Sequence, residues 1–266
     1  MPTWSLEEIE WNKFDASKVK PELLSIVKAA AVVEYNSHDY SRYLCEVFSD
    51  DLEFQQVAKI WADEEIQHGK ALRKWAELAD PEFNFDERVK IFTEGYSLPK
   101  NVTESVRGSR SGELVARCIV ETGTSWYYGA IKDYTDEPVL KQICSKISSD
   151  ELRHFKLFYN YFNIYQKKEP LSFFKRLSIA IGRVLESEDD ELAYAFYATD
   201  TKQASSVYNR KTYTNNYFNC VGAIYKRIHI ERMTAMVFKV VGLKPHGLLN
   251  RGINVLAWNL LKLRVA

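Results

Sequence analysis

The sequence predicts an all-α fold: two long antiparallel helical hairpins joined by a crossover, with additional helices at the C-terminal end. Three observations carry this. Four long segments repeat apolar residues at three- and four-residue steps, the period of a helix with one buried face. Gly and Pro number only 11 and 7 in 266 residues, which suits long helices better than the many turns of a β protein. The four segments also fall into two pairs, with a short turn inside each pair and a long link between them. Hydrophobic residues at 46% and charged residues at 27% are ordinary for a globular chain, and the length is ample for burying a core.

The first predicted helix runs from about Pro21 to Phe48, with Leu24, Val27, Ala31, Leu44 and Val47 on one face and Pro21 at its first position. The second runs from about Asp51 to Leu78. Asp50-x-x-Glu53 resembles a capping box at its start, and Asp80-Pro81 ends it. A less regular stretch follows to about Arg110, containing Gly95, Pro99 and Gly108. The third helix spans about Gly112 to Tyr134. The fourth starts near Pro138 with Asp136 as its cap and continues to about Gln166, before Glu169-Pro170. Beyond it, helices are expected near 171–187, 189–206, 208–242 and 248–265, with Pro245 and Gly247 breaking the last two. This places a helical bundle at residues 1–170 and a helical extension packed on it at 171–266. The closing INVLAWNLLKLRVA is amphipathic. Packing on the bundle is the expectation, because Lys262 and Arg264 are few charges for an anionic lipid surface.

Lys+Arg and Asp+Glu are both 36, so the net charge is zero, which argues against a general nucleic-acid binder. The cysteines are Cys45, Cys118, Cys144 and Cys220. None forms a C-x-x-C pair, which excludes a zinc ribbon, a rubredoxin-type iron site and a thioredoxin motif. Their wide spacing suits reduced, buried thiols. The N-terminal MPTWSLEEIEWNKF lacks an apolar signal region, and no apolar run approaches the ~18 residues of a membrane span. A soluble cytoplasmic protein is the expectation.

The chemistry sits inside the four long helices. The second contains Glu64-Glu65-Ile66-Gln67-His68 and the fourth Asp150-Glu151-Leu152-Arg153-His154. Each holds Glu-x-x-His, and residues three apart share a helix face, so the carboxylate and imidazole can reach one metal together. The first and third helices each carry one Glu in apolar surroundings, Glu34 in AAAVVEY and Glu121 in RCIVETG. A carboxylate there is costly to bury unless it is paired or metal-bound. Glu34 and Glu65 stand at equal distances from the turn at Ser49-Asp50, and Glu121 and Glu151 at equal distances from Asp136. In an antiparallel hairpin each pair therefore lies at one height, roughly 20 Å from its turn at 1.5 Å per residue. The same hairpin thus occurs twice, offset by 86–87 residues. Two such hairpins face to face bring four Glu and two His around one centre, the di-metal arrangement of one Glu from each of two helices and Glu-x-x-His from each of the others.

With these six positions the sequence resembles the ferritin-like di-iron carboxylate proteins over roughly residues 20–166. Glu64-Glu65-Ile66-Gln67-His68-Gly69 is similar to the E-E-x-x-H-G of soluble acyl-carrier-protein desaturases. Asp150-Glu151-Leu152-Arg153-His154 is a D-E-x-R-H shared by several di-iron oxidases. The resemblance implies a ferritin-like four-helix bundle, with metal ligands Glu34, Glu65, His68, Glu121, Glu151 and His154 holding two Fe ions. Hard carboxylates and borderline imidazoles admit Mn as well. It further implies O2-dependent desaturation, hydroxylation or N-oxygenation of an organic, apolar substrate such as an acyl chain. An external electron donor such as a ferredoxin is then needed, since no flavin, haem or iron–sulfur motif is present. A homodimer is compatible. The alternatives are a rubrerythrin-like peroxidase and a metal-storage protein. Leu72 occupies the place of the radical Tyr of reductase small subunits, which weakens a radical role and leaves Tyr128 and Tyr161 as nearby candidates.

Around the ligands, the resemblance places a proton-managing hydroxyl at Thr124, or at Ser125 as second choice. Asp150 and Glu64 are candidates to receive the second N–H of the His ligands. Arg153 steadies one of those acids. Gln67 and Arg153 otherwise read as a solvated face. His38 follows Glu34 by one turn, as an extra ligand, a proton donor or a pocket wall. Ala30, Ala31, Cys118 and Gly123 leave room for a cavity walled by Val27, Leu114, Phe158 and Tyr161, or else mark close helix packing.

Overall fold

A computed structural model describes residues 3–186, 190–200 and 207–265. Among them the regular structure is entirely helical, with no strand. No described helix is long and apolar enough to cross a membrane. Three short 3-10 turns (Leu6–Glu8, Trp11–Lys13 and Ala16–Lys18) precede α1 (Pro21–Tyr35), α2 (Ser37–Val47), α3 (Leu52–Ala79) and α4 (Phe85–Gly95). Then come α5 (Arg110–Tyr134), α6 (Pro138–Lys168), α7 (Phe173–Leu185), α8 (Asp190–Ala198), α9 (Arg210–Ile224), α10 (Arg227–Val241) and α11 (Leu248–Val265). The end of the segment expected near 189–206 lies outside the described residues.

Several boundaries differ from the sequence expectations, each for a local reason. The first expected helix is two, α1 and α2, broken at Asn36. There the Ser37 hydroxyl donates to the Glu34 carbonyl at 2.6 Å, and the Asn36 amide bonds to the Val33 carbonyl, a tightened last turn that ends α1. Segment 208–242 is likewise α9 and α10, because the Lys226 amide donates to His229 Nδ1 at 3.0 Å and starts a new helix. The irregular link contains α4, capped by Asn84, which accepts from the Glu87 amide at 3.2 Å. Asp51, rather than Asp50, caps α3 by accepting from the Phe54 amide at 2.9 Å.

The cap of α6 is Glu137 rather than Asp136. Its carboxylate accepts from the amides of Leu140 (2.7 Å), Val139 (3.2 Å) and Asp15 (3.2 Å) and from Trp75 Nε1 (2.7 Å). Asp136 instead sits 3.2 Å from Lys20 Nζ. Glu137 is fully buried, so its charge is held there by donated N–H groups alone, the arrangement that makes a buried carboxylate tolerable.

The chain divides into two compact units: Met1–Thr103 with Ile131–Cys144 and Glu188–Val221, and Glu104–Ala130 with Ser145–Ser187 and Gly222–Ala266. In the first, α1 and α2 pack along α3, and α8 packs on α1 and α4. The α2–α3 turn is closed by Phe48 against Phe54 (ring centroids 4.1 Å apart) and by Gln55 Nε2 donating to the carbonyls of Phe48 and Ser49. α1 approaches α3 most tightly at Gly69, where a Cβ would stand 2.7 Å from the Tyr35 nitrogen and 3.0 Å from the Ala31 oxygen. Only glycine allows that approach without moving backbone. The N-terminal segment is fastened across this unit by Gln67 Nε2 to the Trp4 carbonyl (2.8 Å) and Lys20 Nζ to the Tyr134 carbonyl (2.8 Å).

In the second unit, α7 and α11 each pack on α10. Arg110 holds Glu169 through its backbone amide and Nε (2.9 and 2.7 Å), and Arg107 holds Glu186 through both terminal nitrogens. α10 ends on Gly242 in the left-handed region (φ +85°), with the Leu243 amide returning to the Phe238 carbonyl.

Replacing Glu137 with Ala strands three buried donors and one half-buried one. Urea unfolding of the Glu137→Ala chain is expected to show a loss of roughly 2–4 kcal/mol, whereas Asp136→Ala is expected to stay within about 0.5 kcal/mol of the parent.

Candidate metal centre

On α3, the Glu-x-x-His spacing puts Glu65 and His68 on the buried face, with His68 Nδ1 2.9 Å from Glu65 Oε2. The tight α1–α3 approach at Gly69, the residue after His68, brings Glu34 in from α1. Glu34, Glu65 and His68 each offer a ligand atom, and these atoms lie within 4.8 Å of one another. Their exposures are 8%, 3% and 0%, so water does not solvate these carboxylates appreciably. Trp4 stacks on the His68 ring (centroids 6.1 Å apart, planes 6° from parallel) and covers the imidazole from outside. The break at Asn36 follows Glu34 by two residues, so α1 ends just past the carboxylate it delivers.

The second unit repeats the arrangement. Glu121 on α5 and Glu151 and His154 on α6 are 1%, 1% and 0% exposed, and their ligand atoms also lie within 4.8 Å of one another. His154 Nδ1 is 3.8 Å from Glu121 Oε2 and 3.9 Å from Glu151 Oε2. Donors that share an ion about 2.1 Å away lie about 3–4 Å apart, which matches these separations. Each group has two carboxylates and one imidazole. With the imidazole neutral, one divalent cation cancels its charge, which removes the main cost of holding two carboxylates in a dry interior. The molecule thus contains buried Glu/His groups that could hold a metal ion.

Of the two candidate hydroxyls, Thr124 is the one bonded to a carboxylate of the group. Its Oγ1 donates to Glu151 Oε2 at 2.7 Å, shorter than its 3.2 and 3.4 Å distances to the Val120 and Glu121 carbonyls. Ser125 is buried but donates to the carbonyl of Thr122 at 3.0 Å, so its hydroxyl is spent on its own helix. Arg153 Nη2 contacts Asp150 Oδ1 at 2.9 Å, and both Asp150 and Glu64 are buried beside the ligands they precede. Gln67 is not on a solvated face: it is half-buried and bonded to Trp4. His38 is exposed. It lies beyond the break at Asn36 and does not share the burial of Glu34 one turn before it.

Leu72 and Tyr128 are fully buried and Tyr161 half-buried. Val27, Ala31, Leu114, Cys118 and Phe158 are all buried. All four cysteines are free. Burial, and then the nearby Glu121 charge, pushes the Cys118 thiol well above its usual range, and burial does the same to Cys144. Both are neutral packing groups.

Sequence reasoning missed Trp4 and the steric role of Gly69. The first carries no periodic signal, and the second needs the position of the facing helix. Comparison of the chain with protein-family models gives no match, and comparison with curated proteins gives none.

Thr124→Val keeps the shape of the side chain and removes the hydrogen bond to Glu151. Titration of the metal-free protein with Co(II), followed by ligand-field absorption, is expected to show affinity lowered by about 10–100-fold. Ser125→Ala is expected to leave it unchanged.

Proposed function

We propose that Glu34, Glu65, His68, Glu121, Glu151 and His154 form one di-iron centre in a ferritin-like four-helix bundle, and that the protein is an oxidoreductase using O2 to oxidise an organic, apolar substrate. The observation that carries this reading is the duplication: two buried Glu/Glu/His groups of equal composition, delivered by hairpins that repeat in the sequence at an offset of 86–87 residues. Two ions against four carboxylates and two imidazoles leave no net charge, so the donor set fits a pair of divalent metals. When bound, two iron ions supply the electrons and binding positions for reducing O2.

The chain's own residues supply the rest. The Thr124 hydroxyl donates a hydrogen bond to Glu151 Oε2, with the two oxygens 2.7 Å apart, so its proton can be given up as charge on that carboxylate changes. Trp4 keeps water from His68, and Arg153 fixes Asp150 beside Glu151. Electrons for repeated turnover come from an external donor of the ferredoxin kind, since the sequence carries no other redox motif.

The test is O2 uptake by the iron-loaded protein with a chemical reductant, measured beside its solution size. The expected result is uptake over many turnovers by a monomer or small oligomer, lowered more than about 100-fold in Glu151→Ala and His154→Ala, beyond the cost of changes outside the ligand sphere. A single round of uptake by a large closed shell would instead mark a storage protein, and turnover equal in the two variants would refute the site.

A further inference from the structure

We propose that the cleft between α10 and α11, in the second unit, is a binding site for the phosphate group of an organic phosphate ester. The cleft has a volume of about 500 Å³ and is lined by Arg227, Arg232, His246, Asn250, Arg251 and Asn254, within the size range of small-molecule sites. Its charge is uneven. Arg227 is paired with Glu231, Nε to Oε1 at 2.9 Å, which uses the one carboxylate of the lining. Among the described residues neither Arg232 nor Arg251 forms an ion pair. Arg232 lies over the Trp126 ring, 4.8 Å from its centroid, which orients its planar guanidinium. Arg251 stands in the first turn of α11, so the positive end of that helix adds to the two guanidinium charges.

A separate observation points to a ligand. Asn250 is 1% exposed and lines the cleft. Its amide stands at the end of a chain of hydrogen bonds that begins at Thr234, whose hydroxyl also lies 3.0 Å from the Glu231 carbonyl. The Thr234 hydroxyl donates to Asn254 Oδ1, Asn254 Nδ2 donates to Asn250 Oδ1 at 3.4 Å, and Asn250 Nδ2 is left buried with no acceptor in the protein. Buried donors are seldom left unused. Here the unused donor stands with two guanidinium groups that form no ion pair among the described residues, and one anionic group would serve all three. His246, also in the lining, holds a left-handed backbone (φ +60°) in the turn before α11.

A tetrahedral dianion can meet two guanidinium groups and an amide at once, the recognition that Arg clusters provide. The body of the ligand is apolar at least in part. Ile228 and Val255 line the cleft, and Leu248, Leu249 and Leu256 beside it on α11 are exposed. Two sources share this chemistry, a soluble phosphate monoester and a phospholipid headgroup.

The full chain is titrated with inorganic phosphate and with phenyl phosphate at constant ionic strength, following Tm, and is floated with phosphatidylcholine vesicles with and without phosphatidic acid. Saturable binding is expected, with phenyl phosphate tighter than inorganic phosphate if the source is soluble and capture only by phosphatidic acid vesicles if it is lipid. Arg251→Ala, an exposed substitution that leaves the fold intact, is expected to weaken binding at least about ten-fold. Asn250→Leu, which removes the unused donor, should do the same, while Lys262→Ala further along α11 should not. The site is refuted if no probe binds saturably, or if Arg251→Ala binds as the parent does.

Discussion

Carboxylates in a dry helical interior dominate this molecule. Glu34, Glu65, Glu121 and Glu151 are each buried beside a His, and a charge so placed is tolerable only with a compensating cation or a full set of donors. Other features serve that constraint. Gly69 lets α1 reach α3 so that Glu34 arrives at Glu65 and His68. Asn36 and Ser37 end α1 just after Glu34. Trp4 covers His68, and Thr124 supplies one hydrogen bond to Glu151. Glu137 shows the other solution. No imidazole joins its four N–H donors, and it serves as a structural cap.

The two kinds of buried acid look alike in sequence and differ in use. Glu65 and Glu151 each precede a His by three residues, which puts the carboxylate and the imidazole on one helix face. Glu137 precedes the first turn of α6, where free amides collect. Position relative to the helix, rather than burial, separates the acids paired with a His from the cap.

Helical content and the two hairpins were legible in the sequence because their signals are periodic and local, and the same period delivers both Glu-x-x-His pairs. Less legible were features decided by which of two neighbouring acids turns inward. Asp51 caps α3 where Asp50 was expected, and Glu137 caps α6 where Asp136 was expected. The long first helix is broken at Asn36 by a single tightened turn that no periodic pattern marks, and His38 beyond it is exposed. α4 escaped notice because an Asn cap and eleven residues make a weak pattern. Thr124 ranked before Ser125 on sequence, and the hydrogen bonds separate them further, one to Glu151 and the other to its own helix.

Whether the two Glu/Glu/His groups act as one centre is the claim on which the proposed oxidation chemistry depends. Anaerobic reconstitution with Fe(II), exposure to O2 and Mössbauer spectroscopy test it directly. A single centre gives two irons per chain in an antiferromagnetically coupled pair. Two irons with the spectra of isolated high-spin ions, or one iron per chain, would contradict it.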